Sequence, residues 1–341
     1  MLISKIAQSV ASAICRRMSA TRRAILVRDC VPVEDLVNNL PRHMLMELMF
    51  DSAQALGVAS LRINGKFGEI EGSPADKVIF RRYAFTGAWS PKFQSEIIER
   101  AFAHGLGTFV DVGANIGLTS IPAARHVSAC IAVEPDPINF CLLQRNVAIN
   151  GLAKQVSCLN IAAYDEASTL DFELSPDNLG DHRIRPRNVA HLVRSEQQED
   201  SRRVIQVNAL PLDSVVTAAV LRHPVVVKID TQGSEPTVLR GAHKLLMETD
   251  CIVIEFSPYL LGRFGFGPQH FFEYLSRFSH GYVLSLDQPD AGSELSIDKS
   301  PLLTFDQIVA HCTAAAANMH PDNYFDVVLL RHPGLLTPSP R

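Results

Sequence analysis

The stretch Thr108–Gly117, TFVDVGANIG, decides the fold. A short apolar run, Thr108–Val112, ends at Gly113; a turn carries a second glycine, Gly117; a helix-like segment, Leu118–Val127, follows. Strand, glycine turn and helix in that order present backbone N–H groups at a helix N-terminus to a ligand. A second apolar run, Ala129–Val133, is closed by Glu134. That places an acidic side chain about twenty residues after the first glycine, where it accepts hydrogen bonds from ribose hydroxyls. The two strands read as one side of a crevice for a nucleoside-bearing cofactor at their carboxyl ends.

The dinucleotide fingerprint G-x-G-x-x-G uses its middle glycine to let the backbone approach a pyrophosphate. Here the turn is Gly113-Ala114-Asn115-Ile116-Gly117, and that glycine is missing. Asp111 stands just before the turn and Asn115 lies within it. Such groups suit a ligand with an ammonium and a carboxylate, as S-adenosylmethionine has, better than one with phosphates. DVGANIG, with EPDP after the next strand, resembles a class I methyltransferase. Together with VVVKIDTQGSEPTVLRGA further on, it resembles the FkbM-family methyltransferases over Gly107–Phe256. The resemblance implies an α/β fold with a doubly wound, mostly parallel seven-stranded Rossmann-like sheet closed by an antiparallel pair. It implies S-adenosyl-L-methionine as cofactor and O-methylation of a hydroxyl on a sugar, a glycolipid or a small-molecule natural product. It also carries Lys228, Asp230, Gly233 and Glu235 together as K-x-D-x-x-G-x-E.

Upstream, residues 1–58 read as a helical extension. Ile3, Ile6, Ala7, Val10 and Ile14 share a helical face, and Arg16, Arg17, Arg22, Arg23 and Arg28 make this end basic. One reading is a helix docked by its apolar face; the other is a peripheral membrane or partner contact through residues 1–30. Pro41 divides the helical pattern Glu34–Leu56 in two. Residues 59–106 form a lead-in, where SLRING, KFGEIEG and KVIFRRYAF alternate with glycine breaks as short β-segments and Phe93–His104 is helical. Trp89 is a packing residue on its own position, or a cover for the cofactor on the resemblance.

Downstream, residues 107–332 form the methyltransferase domain, with strands expected at Thr108–Val112, Ala129–Val133, Val156–Ile161, Val225–Ile229, Cys251–Phe256, Tyr282–Leu286 and Phe325–Leu330. Helices are expected at Pro137–Asn150, where proline suits the first turn, and at Glu235–Met247. An insert over about 163–210 holds strands at Thr169–Leu174 and Val204–Leu210 around a polar loop. The resemblance places part of acceptor recognition there. The tail 333–341 is loose.

Ligands of open α/β sheets bind beyond the carboxyl ends of the strands. That rule keeps Asp111, Gly113, Asn115, Gly117 and Glu134 as cofactor-binding candidates, with Asn160 at the end of the third strand near the adenine. It discards His223, which precedes its strand. Methyl transfer from a sulfonium is an in-line displacement, so the protein must mainly align the acceptor and receive a proton. Asp230, Glu255 and Lys228 are the catalytic candidates. Asp230 would orient or deprotonate the acceptor, or cap the next helix. Lys228 would neutralise an acidic site, or pair structurally with Glu255 or Glu235. Glu134 would alternatively cap the helix at Pro137, Asp111 anchor the turn, and His182 serve as a base from the insert. No metal is expected, since Asp230, Glu235 and Glu255 lack a ligand spacing.

A net charge of −4 gives no general affinity for nucleic acid, so the expected partner is a small-molecule or glycan acceptor, with a homodimer left open. The seven cysteines form no C-x-x-C pair, and Cys130, Cys141, Cys158 and Cys251 read as small core residues of a cytoplasmic protein. Two competing readings remain: a nicotinamide-dependent oxidoreductase using Gly113 and Glu134, and a non-catalytic scaffold binding a partner through residues 1–58.

Overall fold

The computed structural model describes residues 41–186, 202–284 and 296–337. The basic helical face expected before Pro41 lies outside these residues, as does the charged stretch 196–201. Two compact units divide at Trp89/Ser90.

In the first unit, a helix at Arg42–Ala55 starts directly after Pro41, as the sequence suggests. Strands β1 (Leu61–Gly65) and β2 (Gly68–Gly72) form an antiparallel hairpin. KVIFRRYAF is not a β-segment: Ile79–Thr86 is a helix. Asp76 starts it, accepting from the N–H groups of Val78, Ile79 and Phe80 at 3.0 Å each, and Phe80, Tyr83 and Ala84 are its buried face. Local capping outweighs the β-propensity of the run. Trp89 lies under the Arg82 guanidinium, 5.5 Å from its ring centroid.

The second unit opens with a helix whose first part, Phe93–Ile98, is π-wound. The central strands are β3 (Thr108–Val112), β4 (Ala129–Val133) and β5 (Val156–Leu159). The insert gives β6 (Ala162–Ala163), β7 (Ser168–Leu174), β8 (Arg183–Ile184) and β9 (Arg203–Leu210). The chain then returns with β10 (Val225–Ile229), β11 (Cys251–Phe256), β12 (His280–Leu284), β13 (Leu303–Thr304) and β14 (Phe325–Leu330). The main sheet has eight strands in the order β13-β12-β14-β11-β10-β3-β4-β5, parallel from β11 to β5 and antiparallel at β14. It exceeds the expected seven by β13, a two-residue edge pair to His280 and Gly281. The insert forms its own four-stranded sheet, β6-β9-β7-β8.

Register sorts the two faces of the main sheet, because paired residues share a face. Val110, Val112, Ile131, Val133, Val225, Val227, Ile229, Ile252 and Ile254 lie on one face and join one apolar core. The opposite parity carries the polar exceptions: Asp111 pairs with Lys228, Lys228 with Val253, and Glu255 with Asp326. A sheet buried on both faces needs apolar residues at nearly every position. The charged ones therefore mark where the apolar rule has been set aside.

Two expected helices are broken for identifiable reasons. Leu118–Val127 keeps regular bonding only over Ser120–Ala123, around Pro122, which has no N–H. Glu235–Met247 splits into Glu235–Arg240 and His243–Glu248. At the break, a Cβ on Gly241 would sit 1.9 Å from the Tyr164 carbonyl oxygen. Cys130 and Cys251 are buried as expected; Cys158 is half-buried, and Cys141 is exposed on the outside of the helix Pro137–Ile149.

Candidate active site

The glycine turn is fixed by its neighbours. Gly113 and Ala114 both donate to the Val133 carbonyl, joining the ends of β3 and β4. Gly113, Asn115 and Gly117 have φ of 85°, 52° and 92°. A Cβ on Gly113 would stand 2.0 Å from the Asp230 carbonyl oxygen, and one on Gly117 2.9 Å from Leu143 Cδ1. The first glycine thus lets the turn after β10 lie against the turn after β3.

Glu134 is 4% exposed. Its Oε2 accepts from the Asn115 N–H at 2.8 Å and its Oε1 from the Asp136 N–H at 2.9 Å, so one carboxylate ties the glycine turn to the acidic loop. It does not cap the helix Pro137–Ile149; Asp136 does, accepting from the Asn139 N–H at 3.0 Å. Burial pushes the Glu134 carboxyl up to about 8, opposed by those two N–H groups. Asn160 is exposed and its amide donates to the carbonyls of Glu134 and Pro135 at 2.9 and 3.1 Å. The Asn115 amide donates at 2.8 Å to the Leu179 carbonyl, which also accepts from Asn139 at 3.0 Å. The first part of the insert loop is therefore held over the glycine turn.

Asp111 is fully buried. Ser120 Oγ donates to its Oδ2 at 2.5 Å, and its Oδ1 accepts no hydrogen bond from the described residues. Burial pushes its carboxyl up, and Lys228 beside it pulls it down. An orphaned carboxylate oxygen costs free energy unless a donor arrives, and an ammonium is such a donor.

The catalytic candidates form a second group at the same carboxyl end of the sheet. Lys228 Nζ lies 3.0 Å from Asp230 Oδ2; its partner is Asp230, not Glu255 or Glu235. Gln232, at φ 58°, bridges Asp230 Oδ1 at 2.8 Å and Glu255 Oε2 at 3.2 Å through one amide nitrogen. Asp230 does not cap the following helix. Glu235 organises the turn instead, accepting from the N–H groups of Thr231 at 2.8 Å and Gly233 at 3.0 Å.

Asp326 and Gln232 were missed in the sequence. Asp326 faces Glu255 across β11 and β14. Burial and the nearby Asp230 push its carboxyl up to about 6, and burial beside Asp230 holds Glu255 well above the usual carboxylate range. The signal was present: Asp326 is the one charged residue of FDVVLL, at the parity opposite the apolar face.

His223 lies at the far end of the sheet, as expected, with Nδ1 2.6 Å from Asp250 Oδ2. His182 accepts from the Ser175 N–H at 2.9 Å and serves its turn. Among the described residues no group of three or more His, Cys, Asp or Glu could hold a metal ion, and no helix is long and apolar enough to cross a membrane.

A family model described as "Methyltransferase FkbM domain" matches residues 111–284, half of the chain. A Danio rerio protein described as tRNA (guanine(37)-N(1))-methyltransferase is 30% identical over 131 residues, 38% of this chain and 24% of that one. The chain thus spans about a quarter of that relative's length. A solved methyltransferase FkbM from Methylobacillus flagellatus is 17% identical, with 59% of this chain and 44% of that chain covered and a TM-score of 0.36. A SAM-dependent methyltransferase from Agrobacterium tumefaciens is 10% identical, with coverages of 80% and 71% and a TM-score of 0.40.

Proposed function

The chain belongs to the FkbM methyltransferase family, and on that premise we propose that it transfers the methyl group of S-adenosylmethionine to a hydroxyl of a sugar, a glycolipid or a small-molecule natural product. The observation that carries the proposal is the meeting of two groups at the carboxyl ends of neighbouring parallel strands. The Asp111–Glu134 turn and the Lys228–Asp230–Gln232–Glu255 row are joined where Gly113 lies against the Asp230 carbonyl.

The residues present fit the cofactor. The free Oδ1 of Asp111 suits its ammonium, and the Glu134 carboxyl group, which can donate or accept, suits its ribose hydroxyls. When bound, the cofactor supplies an already activated methyl group. The chain supplies alignment and a proton sink. Asp230 would accept the acceptor hydroxyl's hydrogen bond and take its proton. Lys228 sets its ammonium against one Asp230 oxygen, and Gln232 fixes the carboxylate plane through the other. Glu255, whose carboxyl is pushed up by burial and by the neighbouring Asp230 and Asp326, would offer the acceptor a proton more readily than an ordinary glutamate.

The test is transfer of labelled methyl groups from S-adenosylmethionine to a panel of free sugars, glycolipids and hydroxylated metabolites, with Asp230→Asn beside the wild type. O-methyl product from the wild type, falling by about 100-fold or more in the variant as expected for loss of a general base, supports the proposal. No product on any hydroxyl, with cofactor bound, overturns it.

A further inference from the structure

A cavity of about 330 Å³ shares no lining residue with the glycine turn or the carboxylate row. Its walls include Tyr164 and Glu166 after β6, Arg185 after β8, and Arg263, Phe264 and Phe266 beyond β11. Ligand pockets run from about 300 to 1,000 Å³, so this one suits a single small ring.

The walls are set by the fold. Glu173, on β7 and 3% exposed, receives Arg263 Nη2 at 2.9 Å and Arg183 Nε at 3.5 Å and pairs with Arg185 Nε at 3.7 Å, tying the insert sheet to the chain after β11. Asp165 receives Arg240 Nη1 at 3.0 Å, and Gly241 leaves room for the Tyr164 carbonyl. Gly265, at φ 72°, turns the chain so that Phe264 and Phe266 stack with planes 5° apart and centroids 5.8 Å apart. Preorganised walls of this kind reduce the ordering cost of binding.

Their chemistry selects the ligand. Arginines and carboxylates, charges of both signs, share the lining. An anion would meet Asp165 and Glu166, and a cation would meet Arg185 and Arg263. A neutral polyol satisfies both, because each hydroxyl donates to a carboxylate and accepts from a guanidinium. The aromatic faces suit the C–H face of a saturated ring. A sugar ring combines these properties.

We infer that the cavity between the insert sheet and Phe264–Phe266 is an anchoring subsite for a sugar ring of the acceptor, separate from the ring that reacts. The helix Pro258–Arg263 links it to the carboxylate row: a Cβ on Gly233 would lie 2.5 Å from the Leu260 carbonyl oxygen, and Arg263 at the helix end faces the cavity. The acceptor role rests on the methyltransferase reading above; sugar binding in the cavity does not.

The experiment is saturation-transfer NMR titration of the full chain with methyl glycosides of the gluco, galacto, manno and rhamno series, with glycerol phosphate and spermidine as charged controls. S-adenosylmethionine affinity is measured on the same samples. Arg185→Ala and Glu166→Gln alter exposed rim residues, and Phe266→Leu keeps apolar volume. At least one glycoside binds the wild type, and each variant weakens it by about tenfold while cofactor affinity changes less than twofold. The inference is overturned when no glycoside binds, when the variants bind as well as the wild type, or when a charged control binds more tightly. A wild type that binds glycosides at this rim but not S-adenosylmethionine leaves the sugar site standing and removes the methyltransferase reading instead.

Discussion

Gly113→Ala tests how closely the two turns of the site are joined. The new Cβ would stand 2.0 Å from the Asp230 carbonyl oxygen, closer than the 3.0 Å below which real Cβ contacts essentially never fall. Backbone, not a flexible side chain, must then move. Residue 113 also has φ 85°, a left-handed conformation costing an alanine about 1–2 kcal/mol. Overpacking against a fixed wall adds about 1–3 kcal/mol, for a total of about 2–5 kcal/mol. Gly151→Ala is the control: Gly151 has φ 71° but nothing within 4 Å of its Cβ position. Both variants carry the backbone cost, and only the first carries the clash. Urea denaturation should show Gly113→Ala less stable than Gly151→Ala by about 1–3 kcal/mol, and cofactor affinity should fall in the first alone. Equal losses of stability would refute the tight joining of β3 and β10 turns.

The remaining predictions concern charge. Asp326 is shifted from its ordinary 3.8 to about 6, so its contribution to stability is full below 3.8 and is lost as pH rises through 6. Asp326→Asn removes this dependence, and between pH 4 and 7 the variant should lose about 3 kcal/mol less stability than the wild type, as thermal or urea unfolding will show. The same change takes a negative charge from beside Glu255, so the Glu255 carboxyl falls and the pH–activity profile moves to lower pH. Glu173→Gln leaves Arg183 and Arg263 facing a neutral amide in a buried site and should cost about 3–5 kcal/mol in urea unfolding.

The strands Thr108–Val112, Ala129–Val133, Val225–Ile229, Cys251–Phe256 and Phe325–Leu330 were legible to the residue. Each is a near-continuous apolar run, because a strand covered on both faces excludes other residues. What escaped depends on contacts distant in the chain. Nothing local in Glu235–Met247 announces that the Tyr164 carbonyl needs Gly241 bare. The two-residue strands β6, β8 and β13 are too short for any periodicity to register. Lys228 had three carboxylates within plausible reach, and only the fold selects Asp230. The Ile79–Thr86 helix was legible in principle, through Asp76 as its cap, but its aromatic and β-branched residues pointed the other way.

The Asp111–Glu134 turn is proposed to hold S-adenosylmethionine. Calorimetric titration of that cofactor into the wild type and Glu134→Ala decides it. The expected result is micromolar binding to the wild type, weakened by about tenfold or more, or ~1.4 kcal/mol, in the variant. Wild-type protein that does not bind the cofactor, or a variant that binds it equally well, would contradict it.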